Sequence, residues 1–315
     1  ALDGADFVVI QIRVGGQEGR HEDILLGLRH GLIGQETTGV GGFAKALRTV
    51  PVVLDIARRV EAICPDAWIL NFTNPAGLVT EALLQHGRER CVGLCNVPIE
   101  MHMQVAELVG RPAEAVELDW VGLNHLGWVR RVLVDGVDVL PSFIEQVEAG
   151  ISGPANIPEI TYPKGFLSAL GMIPSSYVRY FYATDAMLAE LKAAPRTRAE
   201  EVAEIEAKLL EVYADDTSPA TLPAELSKRG GAWYSRLAVD VLGALASSTP
   251  TTHIVNTRNG SSIRELPADA SVEVPCSIST AGVVPHDCGV VEESIIGLIR
   301  QVKSYQRLTI EAAVN

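Results

Sequence analysis

One stretch constrains this chain more than any other: residues 6–108 alternate short apolar runs with helical periodicity, and each apolar run ends in a compact polar loop. Asp6 to Ile12 reads as a buried strand. Pro51 to Cys64 reads as a helix with Pro51 at its first position and Ile56, Val60 and Ile63 on one face. Ala67 to Asn71 is a second strand ending in Asn71-Phe72-Thr73-Asn74-Pro75, and Pro75 starts the next helix. Arg90 to Leu94 is a third, stopping at Cys95-Asn96-Val97-Pro98, with a helix from there to Leu108. Strand and helix at this spacing predict a doubly wound parallel sheet. Ligands of such sheets sit at the carboxyl ends of the strands, so the loops at 13–20, 71–75 and 95–98 should face one cleft. Gly15-Gly16-Gln17-Glu18-Gly19 is not the full dinucleotide turn, because Val14 stands where its first glycine would be. It reads as a flexible loop near the site.

After Glu117 the pattern changes. Val116–Val121 and Trp128–Val134 read as antiparallel strands, with Asp135-Gly136 as a turn. A helix from Thr197 to Tyr213 opens on Thr197-x-x-Glu200, a capping box. Lys228 to Leu245 reads as another helix. Strands around Thr252–Asn256 and Val272–Ser277 precede a last helix with the stripe Val291, Ile295, Leu298, Val302 and Tyr305. These elements make a second region packed on the first.

With 315 residues there is room for one large domain or two intimate ones. The net charge of −13 argues against nucleic acid and anionic membrane as partners. Any phosphate on a substrate must meet a local concentration of cations. Five thinly spread cysteines do not form a disulfide framework, which places the chain in a reducing, cytoplasmic compartment. No apolar run approaches a membrane span, and no signal peptide is visible. Neither end carries the usual start or cap signals, so a piece of a longer chain is expected.

Cys95 follows a buried strand, and a free cysteine in that place is most often a small core residue. His125, in Gly122-Leu123-Asn124-His125, could equally be a core histidine. Together they bring a thiolate and an imidazole to one cleft, a donor set for Zn, Mn, Fe, Co or Ni. Two protein ligands leave positions open for substrate oxygens, as a Lewis-acid site needs. Ile173 to Tyr182 is dense in tyrosine, which is usually packing, although one hydroxyl could act as a base beside a cation. Lys228-Arg229-Gly230-Gly231-Ala232-Trp233-Tyr234 adds cations and a further tyrosine. Arg20, Arg196 and Arg198 are candidates for phosphate.

Six motifs in this order resemble glycoside hydrolase family 4: Gln11-Ile12-Arg13-Val14-Gly15-Gly16, Asn71 to Pro75, Cys95 to Pro98, Gly122 to His125, Pro174-Ser175-Ser176-Tyr177, and Asn256-Thr257-Arg258-Asn259-Gly260. The resemblance runs over essentially the whole chain. It implies an α/β fold: a Rossmann-like parallel sheet over residues 1–115, truncated at its N-terminus. An α+β domain of the lactate/malate dehydrogenase C-terminal type follows over 116–315. It implies NAD and a divalent metal, manganese first, as cofactors, and a homo-oligomer, dimer or tetramer. Residue by residue, it makes Cys95 and His125 the metal ligands and Tyr177 the base, with Tyr234 second. Arg20, Asn74, Asn96 and Arg198 would bind substrate, and Ile12, Asn71 and Thr73 the cofactor. Asn96 follows the metal cysteine, and an amide cannot act as an acid there, which points to the 6-phospho-β-glucosidase branch. The implied reaction is NAD-dependent oxidation at C3, removal of the C2 proton by Tyr177 with its pKa lowered by nearby cation charge, elimination and water addition. The competing readings are a hydroxy-acid dehydrogenase of lactate or malate type, and a non-catalytic fragment.

Overall fold

A computed structural model describes residues 2–148, 162–214, 223–229 and 233–315. The chain begins with β1 (Phe7–Ile10), α1 (Gly16–Arg29), α2 (Gly39–Ile63), β2 (Trp68–Asn71), α3 (Ala76–Gln85), β3 (Cys91–Gly93) and α4 (Asn96–Leu108). An antiparallel unit follows, made of β4 (Val116–Leu123), β5 (Leu126–Val134) and β6 (Val137–Asp138). Next come α5 (Leu140–Glu148), α6 (Phe166–Leu170), β7 (Ile173–Pro174), α7 (Arg179–Tyr182), α8 (Thr184–Ala193) and α9 (Arg198–Ala214). The chain continues through α10 (Ala224–Arg229), α11 (Tyr234–Leu245), β8 (Thr251–Arg258), β9 (Ser271–Ser279), β10 (Gly282–Pro285) and α12 (Glu293–Val314).

Strands β1, β2 and β3 pair in parallel, as their apolar runs require. Neighbouring residues along them enter different cores. Ile69 and Cys91 join the cluster under α2 and α3 with Val50, Val60 and Leu83, while Leu70 and Val92 join the one holding Trp128, Val241 and Ile299. Burial on both faces is why β2 and β3 are continuously apolar and not alternating, whereas β1, at the sheet edge, leaves Val9 half exposed.

Several sequence expectations are corrected. The sheet does not stop at β3: the order is β1-β2-β3-β8-β9-β10, with β8 antiparallel to β3 through Gly93 and Asn256. Strands assigned to the second region therefore complete the first sheet. Gly15 to Gly19 is not a loop, because helix α1 starts at Gly16. Pro51 is not a first-turn residue but lies inside the 25-residue α2. It sits on the exposed side, where water can satisfy the carbonyl its missing N–H leaves unpaired, while Thr49, Val50, Val53 and Leu54 carry the buried face past it. The helix expected over Lys228–Leu245 is two helices, α10 and α11; residues 230–232 lie outside the described ones. On α12 the buried line runs through Ile295, Ile299, Lys303, Gln306 and Ile310, centred on an ion pair between Lys303 and the fully buried Glu81.

Other local readings hold. Glu200 accepts from the Thr197 N–H at 2.7 Å while Thr197 Oγ1 accepts from the Glu200 N–H at 3.3 Å, the reciprocal bonds of a capping box. Asp135 (φ 50°) and Gly136 (φ 80°) form the two-residue turn between β5 and β6.

The segment between α1 and α2 lies directly on the first turn of α2, and glycine makes this approach possible. A Cβ on Gly41 would run into the Gln35 carbonyl oxygen. Gly41→Ala is expected to cost about 1–3 kcal/mol through overpacking. A lowered melting temperature would show it, and an unchanged one would mean the segment is free to move away.

Candidate functional site

The carboxyl ends of β1, β2 and β3 open onto a cleft of about 930 Å³. Its lining brings together residues far apart in sequence: Arg20, Asn74, Asn96, Tyr177, Arg198 and Tyr234. Arg13 from the first loop, Asn74 from the second and Asn96 from the third all reach it, so the three loops do face one space.

Cys95 caps the N-terminus of α4 directly after β3. The Val97 N–H and the Asn124 side chain lie beside its sulfur and favour thiolate, although the sulfur makes no capping hydrogen bond. Burial, followed by the neighbouring Glu273 carboxyl, outweighs them and pushes the thiol pKa up. His125 occupies the second place of the two-residue turn joining β4 to β5, where Leu123 pairs with Leu126. Its φ of 62° is uncommon for a side chain of this size and costs on the order of 1 kcal/mol or more. Burial lowers its pKa to about 3, so it presents a neutral imidazole. Nδ1 bonds Thr37 Oγ1 at 3.0 Å, and no hydrogen bond to Nε2 is present among the described residues. A hydrogen bond on one ring nitrogen with the other left open is how a ligand histidine is held.

Tyr177 lies in the turn after β7. That strand pairs with β5 just beyond the His125 hairpin, Trp128 opposite Pro174, and the Ser175 N–H donates to Gly127 O at 2.8 Å. The result is a parallel stack of the Tyr177 ring on the His125 imidazole, 3.8 Å between centroids and 5° between planes. The expectation of a lowered Tyr177 pKa is corrected for the chain itself. Burial, then Tyr180, Cys95, Tyr234 and Glu36, push it well above the ordinary tyrosine value. Tyr234 is raised in the same way, burial being the largest cause, with the Asn74 side chain and the Asn96 backbone beside its hydroxyl.

The cofactor candidates sit at the strand ends with their polar groups engaged. The Ile12 N–H donates to Thr73 Oγ1 at 3.0 Å, Thr73 Oγ1 donates to Ile10 O at 3.3 Å, and the Thr73 N–H donates to Asn71 Oδ1 at 3.0 Å. They form the floor beneath the cleft and do not line it. Among the substrate candidates, Asn96 donates to Glu100 at 3.2 Å and Arg198 pairs with Glu201 at 2.9 Å. Arg196 also reaches the lining, paired with Glu204 at 2.6 Å.

Sequence reasoning missed the charged centre of the wall. Glu36, 7% exposed, accepts from Arg13 and Lys45 and pairs with Arg20 Nε at 2.9 Å. Burial opposes its ionisation, but Lys45, Arg20 and Arg13 together hold its carboxyl well below the usual range. Burial in turn lowers Lys45 to about 8. Three cations on one carboxylate leave a local positive excess in a chain of net charge −13. Thr37 was missed as well, whereas Arg229, one of the cations noted beside Tyr234, reaches the lining and pairs with Glu206 at 2.7 Å. The glycines of Gly39-Val40-Gly41-Gly42 were the available signal that the preceding loop packs closely.

Two family models cover nearly all of this chain: Family 4 glycosyl hydrolase over residues 1–111, and Family 4 glycosyl hydrolase C-terminal domain over residues 120–315. The chain belongs to glycosyl hydrolase family 4. A probable 6-phospho-β-glucosidase of Bacillus subtilis (strain 168) is 42% identical over 321 residues, spanning 100% of this chain and 72% of that protein. The 6-phospho-β-glucosidase of Thermotoga maritima, solved with manganese, NAD+ and glucose-6-phosphate, superposes with a TM-score of 0.90 at 36% identity, over 100% of this chain and 73% of that one. A lactate dehydrogenase from a deep-sea metagenome library is 10% identical with a TM-score of 0.56, over 100% of this chain and 78% of that one. That likeness is one of fold alone. The Rossmann-like sheet and dehydrogenase-type architecture expected from sequence are thus what this family 4 chain has.

Proposed function

We propose that this glycosyl hydrolase acts on 6-phospho-β-glucosides, with Tyr177 taking the C2 proton of the sugar and Cys95 and His125 holding a divalent metal. The observation that carries the reading is the stack of Tyr177 on His125 at the wall of a cation-rich cleft. Support for the substrate comes from the relatives, which are named for 6-phospho-β-glucosides, and from Asn96, which offers no acid for a leaving group. The reducing cytoplasm remains the proposed compartment, in keeping with five cysteines that are all free and buried.

The donor set fits a divalent ion such as manganese. A buried thiol at a helix N-terminus and a neutral imidazole fixed through Nδ1 are two ligands, and among the described residues no cluster of three or more His, Cys, Asp or Glu is placed to hold a metal. Open positions on the ion are then left for the sugar. When bound, NAD supplies reversible hydride transfer at C3 and the metal polarises the sugar oxygens.

The chain's own residues do the rest. Arg20 and Arg198 present guanidinium forks for the 6-phosphate, and Asn74 and Asn96 offer amides to the sugar hydroxyls. Arg20, facing Tyr177, and Glu36 behind it set the charge around the phenol. Tyr177 Oη removes the C2 proton, and cation charge beside it must offset the burial that holds the hydroxyl protonated. Ile12, Asn71 and Thr73 keep the strand ends level where the cofactor would lie.

The test is hydrolysis of a 6-phospho-β-glucoside against the same glucoside without phosphate, with NAD+ and Mn2+ added. Two charge-assisted hydrogen bonds at roughly 1.5–3 kcal/mol each predict a preference of about a hundredfold or more in kcat/KM for the phosphorylated form. Equal rates would remove the phosphate assignment, and net NADH accumulation from a hydroxy acid would favour a dehydrogenase.

A further inference from the structure

Behind Cys95 and His125, away from the cleft, lies a buried polar cluster that the proposed reaction does not use. Glu273 on β9 is 1% exposed and faces Asn256 directly across the β8–β9 ladder. Asn256 is in turn the residue through which β8 meets Gly93, two positions before Cys95. Asn124, the neighbour of His125 in the hairpin turn, donates Nδ2 to Glu273 Oε1 at 3.0 Å, and Asn256 Nδ2 donates to the same oxygen at 2.9 Å. The Gly77 N–H donates to Asn124 Oδ1 at 3.2 Å, so the orientation of that amide is fixed. Its NH2 must then face Glu273, on the side where the Cys95 sulfur also lies. Packing around the cluster is close: a Cβ on Gly77 would come within 2.7 Å of Asn124 Cβ.

A cluster built only to tie strands together would satisfy its atoms. This one does not, since Glu273 Oε2 and Asn256 Oδ1 are buried without a hydrogen-bond partner. A buried carboxyl in that condition is destabilising for the chain on its own. It becomes useful if positive charge arrives nearby. A divalent ion bound by one thiolate and one neutral imidazole leaves one positive charge uncompensated in a buried place. Of the other carboxylates of the region, Glu36 is already committed to Arg13, Arg20 and Lys45, and Glu100 accepts from the Asn96 amide at 3.2 Å.

We infer that Glu273 is a positioning residue for the metal pair: through Asn124 it fixes the turn that carries His125, through Asn256 it fixes the end of β3 that precedes Cys95, and it supplies the negative charge that balances the bound ion. This rests on the reading of Cys95 and His125 as metal ligands. Partners of this kind, one bond removed from a metal, set ligand orientation and affinity.

The experiment measures Mn2+ binding to the 315-residue chain by the electron paramagnetic resonance signal of free Mn2+, for the parent, Glu273→Gln, Asn256→Ala and Cys95→Ser. Each is also melted without metal. Glu273→Gln keeps the shape and the acceptor at Oε1 while removing the charge, so affinity for Mn2+ is expected to fall roughly 10–100-fold. The metal-free melting temperature should not fall, because a costly buried carboxyl has gone. Asn256→Ala should weaken Mn2+ binding in the same direction by a smaller factor. If Cys95→Ser abolishes binding while Glu273→Gln binds as the parent does, this inference is wrong and the metal site stands. If Glu273→Gln lowers metal-free melting and leaves affinity unchanged, the cluster is structural only. Undiminished binding by Cys95→Ser overturns the metal site and this inference with it.

Discussion

Tyr177→Phe is expected to lower kcat by about 10²–10⁴ and to abolish exchange of the sugar C2 proton with solvent, with the fold intact. The ring remains on the His125 imidazole, so the packing of the stack, 3.8 Å between centroids, has no reason to change. Only the hydroxyl is lost. Unchanged melting with lost exchange assigns the proton to Tyr177. Normal exchange in Tyr177→Phe, with exchange lost instead in Tyr234→Phe, would move the role to the second tyrosine. The geometry favours the first, because the Tyr234 ring packs edge-on against Phe72, whereas Tyr177 stands against the imidazole.

Glu36→Gln should have the next largest effect, and here stability and activity fall together. The carboxylate neutralises Arg13, Arg20 and Lys45 in a buried wall. Removing one partner from such a cluster leaves buried charge uncompensated, at a cost of about 3–5 kcal/mol. Arg20 also loses the ion pair that aims it into the cleft, so KM for a phosphorylated substrate should rise. The pH dependence has a definite sign. Glu36 has a pKa held well below that of an unfolded glutamate, so its stabilisation is present above the unfolded value of about 4.5 and is lost as pH falls toward the folded one. The parent should therefore lose stability steeply below about pH 4, and Glu36→Gln should show a shallower acid limb in melting experiments. An unchanged acid limb would mean that the cluster is not ionised as described.

How much of this could be read from sequence follows from the range of the interactions. The parallel strands β2 and β3 were legible because burial on both faces forces an apolar run; β1 was legible from its apolar run although its edge position leaves Val9 half exposed, and a polar loop ends each one. The capping box at Thr197 and Glu200 and the turn at Asp135-Gly136 were legible because their bonds span three residues or fewer. The pairing of β8 with β3 was not, since Gly93 and Asn256 are brought together only by the intervening chain. Pro51 misled because a proline on the exposed side of a helix costs less than one facing the core.

The candidate site divides in the same way. Asn74 and Asn96 could be placed in the cleft because each follows a readable strand, whereas Cys95, at the end of the same strand as Asn96, is buried and does not line it. Tyr177 was separated from its six tyrosine relatives only by motif, and its reason for being there, the β7–β5 pairing that stacks it on His125, is tertiary. Glu36, Lys45 and Thr37 could not be found locally. A carboxylate in a polar loop and a lysine in a helix look like solvent-facing residues until the fold buries them against each other. The cofactor candidates Ile12, Asn71 and Thr73 were located correctly at the strand ends, but their hydrogen bonds to each other were invisible in sequence.

The central claim is that hydrolysis here runs through removal of the C2 proton beside the Cys95–His125 pair. It is tested most directly by letting the chain cleave a 6-phospho-β-glucoside in deuterium oxide with NAD+ and Mn2+ and locating the label in the glucose 6-phosphate released. Deuterium at C2 is the predicted result. Product released with only hydrogen at C2 would contradict it.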